Sequence, residues 1–369
     1  MIYPKGVLDF LRSDQALSQR YGDILRENAR INCGAVRAPE ELHRALIDYL
    51  FGEAFLRDDR VRRFCFFLSS LHNVFANVLR YFDKVNKTST HKDDKSSTGT
   101  HPDELMRHAC YIYYLDSHGI GGDIIECGTY KGFSACCLSW VCHFLGRRLV
   151  VADSFAGLPP NVTDQYYKAG DFKGTLDEVR ANISTMGRIE TVRFVQGFFS
   201  DSLKDYSGSI CLLWFDVDLY ESTMDIMTTL YDKLAPGGVM MSHELFAERD
   251  FKDGRLLPTI GPSLALHDFF ARNSIAYQAM PLTNGSGLIV PGVGPEEQPL
   301  WSEEVFQHML LRAGDPVFHH HVALVMSLEE ENARLRHQVA EMAGCFSFRL
   351  GRTLTGPYRA LKSCFPAQS

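Results

Sequence analysis

Three carboxylates and one imidazole stand where two apolar runs end. Asp216 and Asp218 follow SICLLWF, and His243 and Glu244 follow GVMMS. Oxygen and nitrogen donors at such places can gather a hard divalent ion or take a proton from a hydroxyl. A second group lies upstream. Glu126-Cys-Gly128-Thr129-Tyr130-Lys-Gly132 leads from an apolar run into a helical pattern, and Asp153 closes the next apolar run. Glycines at a strand-to-helix turn let a ligand approach the backbone, and the free N–H groups of the helix start face it. An acid ending the neighbouring strand is placed to accept hydrogen bonds from ribose hydroxyls. The turn departs from Gly-x-Gly-x-x-Gly, so it lacks the approach that a pyrophosphate needs. It suits a sulfonium cofactor better, with Glu126 near the positive charge. The bland alternative makes Glu126 a salt-bridge residue and Asp153 a cap for Ser154-Phe155.

These residues need a sheet to hold them. From about residue 105, short apolar runs alternate with helical segments, the pattern of a parallel sheet with crossover helices. Strands are predicted at Asp123–Cys127, Arg148–Ala152, Val192–Gln196, Ser209–Phe215, Gly238–Ser242, Ala276–Met280 and Ser286–Val290. Helices fall at 131–145, 175–186, 220–234 and 262–273. The two pairs Asp216/Asp218 and His243/Glu244 then end adjacent strands and face one crevice. Five or six strands would give a dinucleotide fold; seven, with two late ones, give the methyltransferase version.

Five segments carry a resemblance: GDIIECGTYKGFSA, VADSFAGLPP, VRFVQGFFSDSL, FDVDLYESTMD and LYDKLAPGGVMMSHE. In this order they are similar to the macrocin-type O-methyltransferases, a family acting on sugar hydroxyls in antibiotic assembly, with bacterial relatives of unknown acceptor. The resemblance covers residues 105–292. It implies a class I methyltransferase fold, an α/β Rossmann-like seven-stranded sheet with helices on both faces. It also implies S-adenosyl-L-methionine and a divalent cation, magnesium first, with manganese or another ion as the alternative. By position, Glu126, Gly128, Asp153 and Ser154 would line the cofactor, with Thr129 and Tyr130 in the same turn. Gly197, Phe198 and Asp201 would close over the adenine side. Asp216 corresponds to the first aspartate at the metal, beside the cofactor, and Asp218 to the general base.

The departure from the family lies at 243–244, where two aspartates normally complete the metal site and this chain has His243 and Glu244. One reading keeps a metal on Asp216, His243 and Glu244, the imidazole moving preference toward manganese, iron or zinc. Another removes the metal and makes His243 a general base near neutral pH. A third leaves His243 as a satisfied strand-end residue. The preferred assignment has Asp218 as base with His243 assisting or binding metal.

Composition restricts the rest. The net charge of -7 argues against nucleic acid, whose phosphates are bound by Lys and Arg. Ten Cys without framework spacing read as buried thiols in a reducing, cytoplasmic setting. The N-terminus lacks the apolar core of a signal peptide, and no run approaches a membrane span. Residues 1–82 read as a helical region, 83–104 as a polar linker or lid, and 293–369 as a helical extension. Its basic amphipathic end, 344–364, reads as packing on its own protein, on a second copy, or on an anionic inner membrane face. The insertion 245–262, with Arg249, Asp250 and Arg255, and His267 beyond it, is the place for acceptor contacts; His319–His321 read as surface. The leading function is O-methylation of a sugar hydroxyl on a glycan, such as a bacterial surface glycan, or on a glycosylated metabolite. A phenolic acceptor and a non-catalytic scaffold are the alternatives.

Overall fold

The computed structural model describes residues 59–88, 99–100, 102–160, 166–282 and 285–294, with residues 334, 335, 337 and 338 near the C-terminus. The extension from 295, including His319–His321 and the basic segment 344–364, otherwise lies outside the described residues, as do residues 1–58.

Five parallel strands form the centre: β1 (Asp123–Cys127), β2 (Leu149–Asp153), β3 (Val192–Gln196), β4 (Ile210–Phe215) and β5 (Leu234–Ser242). Beyond a small hairpin, β6 (Phe251–Lys252) and β7 (Arg255–Leu256), come β8 (Tyr277–Pro281) and β9 (Gly287–Pro291). The sheet order is β3-β2-β1-β4-β5-β9-β8, with β9 antiparallel to both neighbours. This is the seven-stranded α/β sheet of class I methyltransferases. β2 and β4 are buried at every residue, as continuous apolar runs covered on both faces must be. β3, at the edge, is half exposed.

One face carries four of the helices, among them Leu176–Met186. Helix α1 (Asp59–Thr88) and α2 (Pro102–Ser117) pack outside α3 (Phe133–Leu145), which lies on the sheet. Ala135, Cys136, Cys137 and Ser139 keep α3 slim enough to be covered on all sides, and Phe67 and Phe82 of α1 meet Phe144 and Phe133 edge-on. Of the region read as helical before residue 82, the described part packs into the same core as the sheet, from Phe67 to Phe82. α1 also continues to Thr88, into the stretch read as a linker, because apolar and aromatic residues as far as Phe82 pin its preceding turns. On the other face lie α6 (Tyr220–Leu230) and α8 (Gly261–Arg272). Helix α4 (Leu176–Met186) starts where the Thr175 hydroxyl caps the Glu178 N–H. Two one-turn helices, α5 (Phe199–Ser202) and α7 (Ala247–Asp250), complete the numbering. Among the described residues no helix is long and apolar enough to cross a membrane.

Candidate active site

A crevice of about 470 Å³ opens at the carboxyl ends of the parallel strands. Its first wall is the turn between β1 and α3. Gly128 has φ +84°, and a Cβ there would meet the Asp216 carbonyl oxygen at 2.1 Å, so only glycine passes between the ends of β1 and β4. The Asp153 carboxylate ties this turn to the next one. Its Oδ2 accepts the Thr129 N–H at 2.8 Å and its Oδ1 accepts the Phe155 N–H at 2.7 Å. Burial pushes its carboxyl above the usual range despite these donors. Asp153 is therefore both a cap for Phe155 and part of the crevice lining, as is Ser154.

Glu126 and Gly197 stand elsewhere than expected. Glu126 is fully buried and does not line the crevice. One residue short of the strand end, its carboxyl turns beneath the glycine turn, where the Thr129 hydroxyl donates to it at 3.1 Å. Burial pushes it up to about 8. Gly197, with φ +136°, turns the chain after β3, donates its N–H to the Asp153 carbonyl, and leaves the lining to Phe198 and Asp201. Thr129 and Tyr130 line the crevice as well.

The second wall gathers side chains from distant elements. Asp216, Asp218, His243 and Glu244 all line it. His243 Nδ1 lies 3.4 Å from both Asp216 Oδ1 and Glu244 Oε1, and Nε2 lies 3.5 Å from Oε1 of Glu104. Glu104 belongs to α2, is fully buried, and accepts a hydrogen bond from Ser286 before β9. Thr100 also reaches in, donating to Asp216 Oδ2 at 3.3 Å. Burial disfavours the charged ring of His243, yet Asp216, Glu104 and Glu244 outweigh it and hold its pKa far above the imidazole range. The same ring, with Thr100 and His108, overcomes burial at Asp216 and keeps its carboxyl low. Asp218 behaves oppositely: burial and the adjacent Asp216 and Glu244 carboxylates push it up to about 8. A Tyr167 hydroxyl bonds to it and moderates the rise.

Backbone strain concentrates here. Of seven described non-glycine residues with positive φ, four line the crevice: Tyr130, Phe172, Asp218 (φ 60°) and Glu244 (φ 59°). Side chains held in the left-handed region need surrounding structure to fix them, and such positions collect at working sites.

Glu104, Thr100, Tyr167 and Phe172 carry no motif and escaped the sequence reading. The polar run before α2 gave only a composition that fits a lid, and Gly99 and Thr100 at its end do line the crevice. The insertion after β5 does not. Asp250 is consumed in tying it together, accepting from Phe246 N–H, Arg249 and Thr259. Arg255 and His267 line a separate hollow on the α8 side. Among the described residues, no three His, Cys, Asp or Glu are disposed to hold a metal ion.

With this geometry the comparisons agree. Residues 96–252 match the macrocin-O-methyltransferase (TylF) family model. The chain is 34% identical over 137 residues to the 8-demethyl-8-(2,3-dimethoxy-alpha-L-rhamnosyl)-tetracenomycin-C 4'-O-methyltransferase of Streptomyces olivaceus, 33% of this chain and 52% of that protein. It is 35% identical over 140 residues to the demethyldecarbamoylnovobiocin O-methyltransferase of Streptomyces niveus, 34% of this chain and 53% of that protein. The chain spans about half the length of these curated relatives. The solved structure of the O-methyltransferase NovP is similar over 60% of this chain and 98% of its own, at 22% identity and a TM-score of 0.47.

Proposed function

We propose that this protein is an S-adenosylmethionine-dependent O-methyltransferase acting on a sugar hydroxyl of a glycan or glycosylated metabolite. One observation carries the reading: the Gly128–Tyr130 turn with Asp153 faces Asp218 and His243 across a single crevice, of a size usual for small-molecule sites. The cofactor's adenosyl part would lie along the turn, Asp153, Ser154 and Phe198, its methyl directed toward Asp218. The described lining holds eight carboxyl residues (Asp153, Asp171, Asp201, Asp216, Asp218, Glu221, Asp225 and Glu244) and neither Lys nor Arg. Such a surface favours a cofactor bearing a sulfonium and an amino group.

The transfer asks for alignment of acceptor oxygen, methyl carbon and sulfur. The acceptor O–H passes its proton to the Asp218 carboxylate as oxygen bonds to the methyl carbon. The carbon–sulfur bond breaks with its electron pair going to sulfur, leaving S-adenosylhomocysteine. A carboxyl raised to about 8 is a stronger base than an ordinary aspartate. The divalent ion implied by the resemblance does not fit the residues present: an imidazole replaces one oxygen donor, and among the described residues no group of three His, Cys, Asp or Glu is disposed to hold a metal ion. No step is therefore assigned to a metal.

The acidic wall also selects the acceptor, since it repels phosphates and carboxylates. Tyr130, Tyr167 and Phe172, whose rings meet edge-on, offer a face for a sugar ring and equally for a phenol, the second reading. A cytoplasmic setting, and a second copy or the inner membrane face as partner of 344–364, belong to the same proposal. Incubation with methyl-labelled S-adenosylmethionine tests it. Neutral glycosides should be labelled at least about tenfold faster than nucleoside-diphosphate sugars of the same sugar. Labelling of catechols alone would replace the sugar reading, and labelling of no hydroxyl compound would remove the activity.

A further inference from the structure

We propose that Asn182 and Tyr81 are positioning residues for the cofactor turn, so that α1, outside the matched residues 96–252, takes part in binding the cofactor. Three successive residues of the turn are each held from outside it. Thr129 donates its N–H to the Asp153 carboxylate at 2.8 Å. The Tyr130 carbonyl lies against the Gly174 backbone, where a Cβ would meet it at 1.9 Å. The Lys131 carbonyl accepts from Nδ2 of Asn182, on α4, at 2.9 Å. The Asn182 Oδ1 in turn accepts from the Tyr81 hydroxyl, on α1, at 2.8 Å.

The last two contacts work in series. A buried carbonyl needs a donor, and the Cys136 N–H at the start of α3 goes to the Gly132 carbonyl, one residue past Lys131. Asn182 supplies the donor for Lys131. Its side chain is buried at 5% exposure, and an amide so placed could turn either its oxygen or its nitrogen toward the turn. The Tyr81 hydroxyl, donating to Oδ1, holds the amide with Nδ2 toward Lys131. Tyr81 is itself fixed beside Phe82. The two rings meet edge-on at 5.4 Å, and Phe82 meets Phe133 in the first turn of α3. What the cofactor turn gains is a fixed backbone. Tyr130 has φ +50°, a left-handed conformation that surrounding contacts must hold. Gly128, Thr129 and Tyr130 line the crevice, whereas Lys131, Asn182 and Tyr81 stand behind the lining and act through the turn. A turn ordered beforehand loses less freedom on binding, and its affinity rises. The identity of the ligand on this turn rests on the methyltransferase reading; the way the turn is held does not.

Calorimetric titration of the full chain with S-adenosylhomocysteine, beside hydrogen exchange at the amides of residues 129–132, tests the proposal. Tyr81→Phe keeps the ring and removes the hydroxyl. Its Kd should rise about threefold, and the turn amides should exchange faster. Asn182→Leu keeps the branched shape and removes both polar atoms, so Kd should rise at least about tenfold. At saturating S-adenosylmethionine, kcat should stay within about twofold of the parent in both variants. Because Tyr81 acts through Asn182, the double variant should bind no more weakly than Asn182→Leu alone. Tyr206→Phe is the control. It removes a hydroxyl that donates to Asp123 at the far end of β1, and it should lower Tm without changing Kd. Parent affinity and parent exchange in Tyr81→Phe overturn the proposal. So do additive losses in the double variant, or an equal loss of affinity in Tyr206→Phe. If Asn182→Leu does not fold, Tyr81→Phe and its control decide. A parent protein that binds no S-adenosylhomocysteine would strike the methyltransferase reading, and the exchange rates would then decide alone whether Asn182 and Tyr81 hold the turn.

Discussion

The two walls of the crevice are built in different ways. The cofactor wall is made from turns: Gly128 against the Asp216 carbonyl, Asp153 bridging Thr129 and Phe155, and Gly197 turning the chain after β3. The opposite wall is made from side chains that meet only in three dimensions. Thr100 and Glu104 come from the N-terminal face, Asp216 and Asp218 from β4, His243 and Glu244 from β5, and Tyr167 from a loop. Backbone-built sites constrain residue types locally, whereas side-chain sites depend on which elements the fold brings together. The first should fail in cofactor binding when altered, and the second in the rate of transfer.

The largest effect is expected at Gly128. A methyl group there meets backbone in a left-handed conformation, so Gly128→Ala should cost on the order of 3 kcal/mol. Thermal unfolding and cofactor titration should both record the loss. Retained affinity at parent stability would show that the cofactor wall is less tightly built than the 2.1 Å approach implies.

Next comes Asp218→Asn, which should reduce kcat by about 10²–10⁴-fold and leave cofactor affinity nearly unchanged. In the parent enzyme kcat/KM should rise with pH as the Asp218 carboxyl ionises near 8 and flatten above it. The sign for stability is opposite. A carboxyl raised in the folded state favours folding with the proton on. Its ionisation therefore costs stability progressively from the unfolded-state value near 4 up to about 8. Asp218→Asn should accordingly raise Tm by a few degrees at pH 8 and less at pH 5. An unchanged pH profile in the variant would remove Asp218 as base.

The smallest effect is expected from Tyr167→Phe. Its hydroxyl holds down the Asp218 pKa, so its loss should move the pH limb upward by less than about one unit. Cofactor affinity should stay the same. A change in affinity without a moved limb would place Tyr167 on the cofactor side instead.

This difference also explains what could be read in the sequence. β1 and β3 were legible to the residue, because short apolar runs bounded by turns leave few other choices. The glycine turn, Asp153, Asp216 and Asp218 were legible for the same reason, since each sits at a strand end where backbone geometry restricts the residue. Glu104 was not. It lies one residue before the start assigned to the domain, on a helix whose other residues gave no sign of reaching the crevice. His243 showed itself only as a departure from a pattern, and the Glu104 carboxyl that its Nε2 faces stands 139 positions earlier. Glu126 was read as lining the cofactor, yet a residue one short of a strand end can turn beneath the loop. The acids and arginines after β5 suggested acceptor contacts because they were charged, but Asp250 uses its carboxylate to fold that segment upon itself.

The central claim is that the wall formed by the Gly128 turn and Asp153 binds an adenosylated sulfur cofactor. Calorimetric titration of the full chain with S-adenosylhomocysteine tests it most directly. The account predicts one-to-one binding in the micromolar range, lost in Gly128→Ala and kept in Asp218→Asn. No heat of binding in the folded parent protein, or binding indifferent to Gly128→Ala, would contradict it.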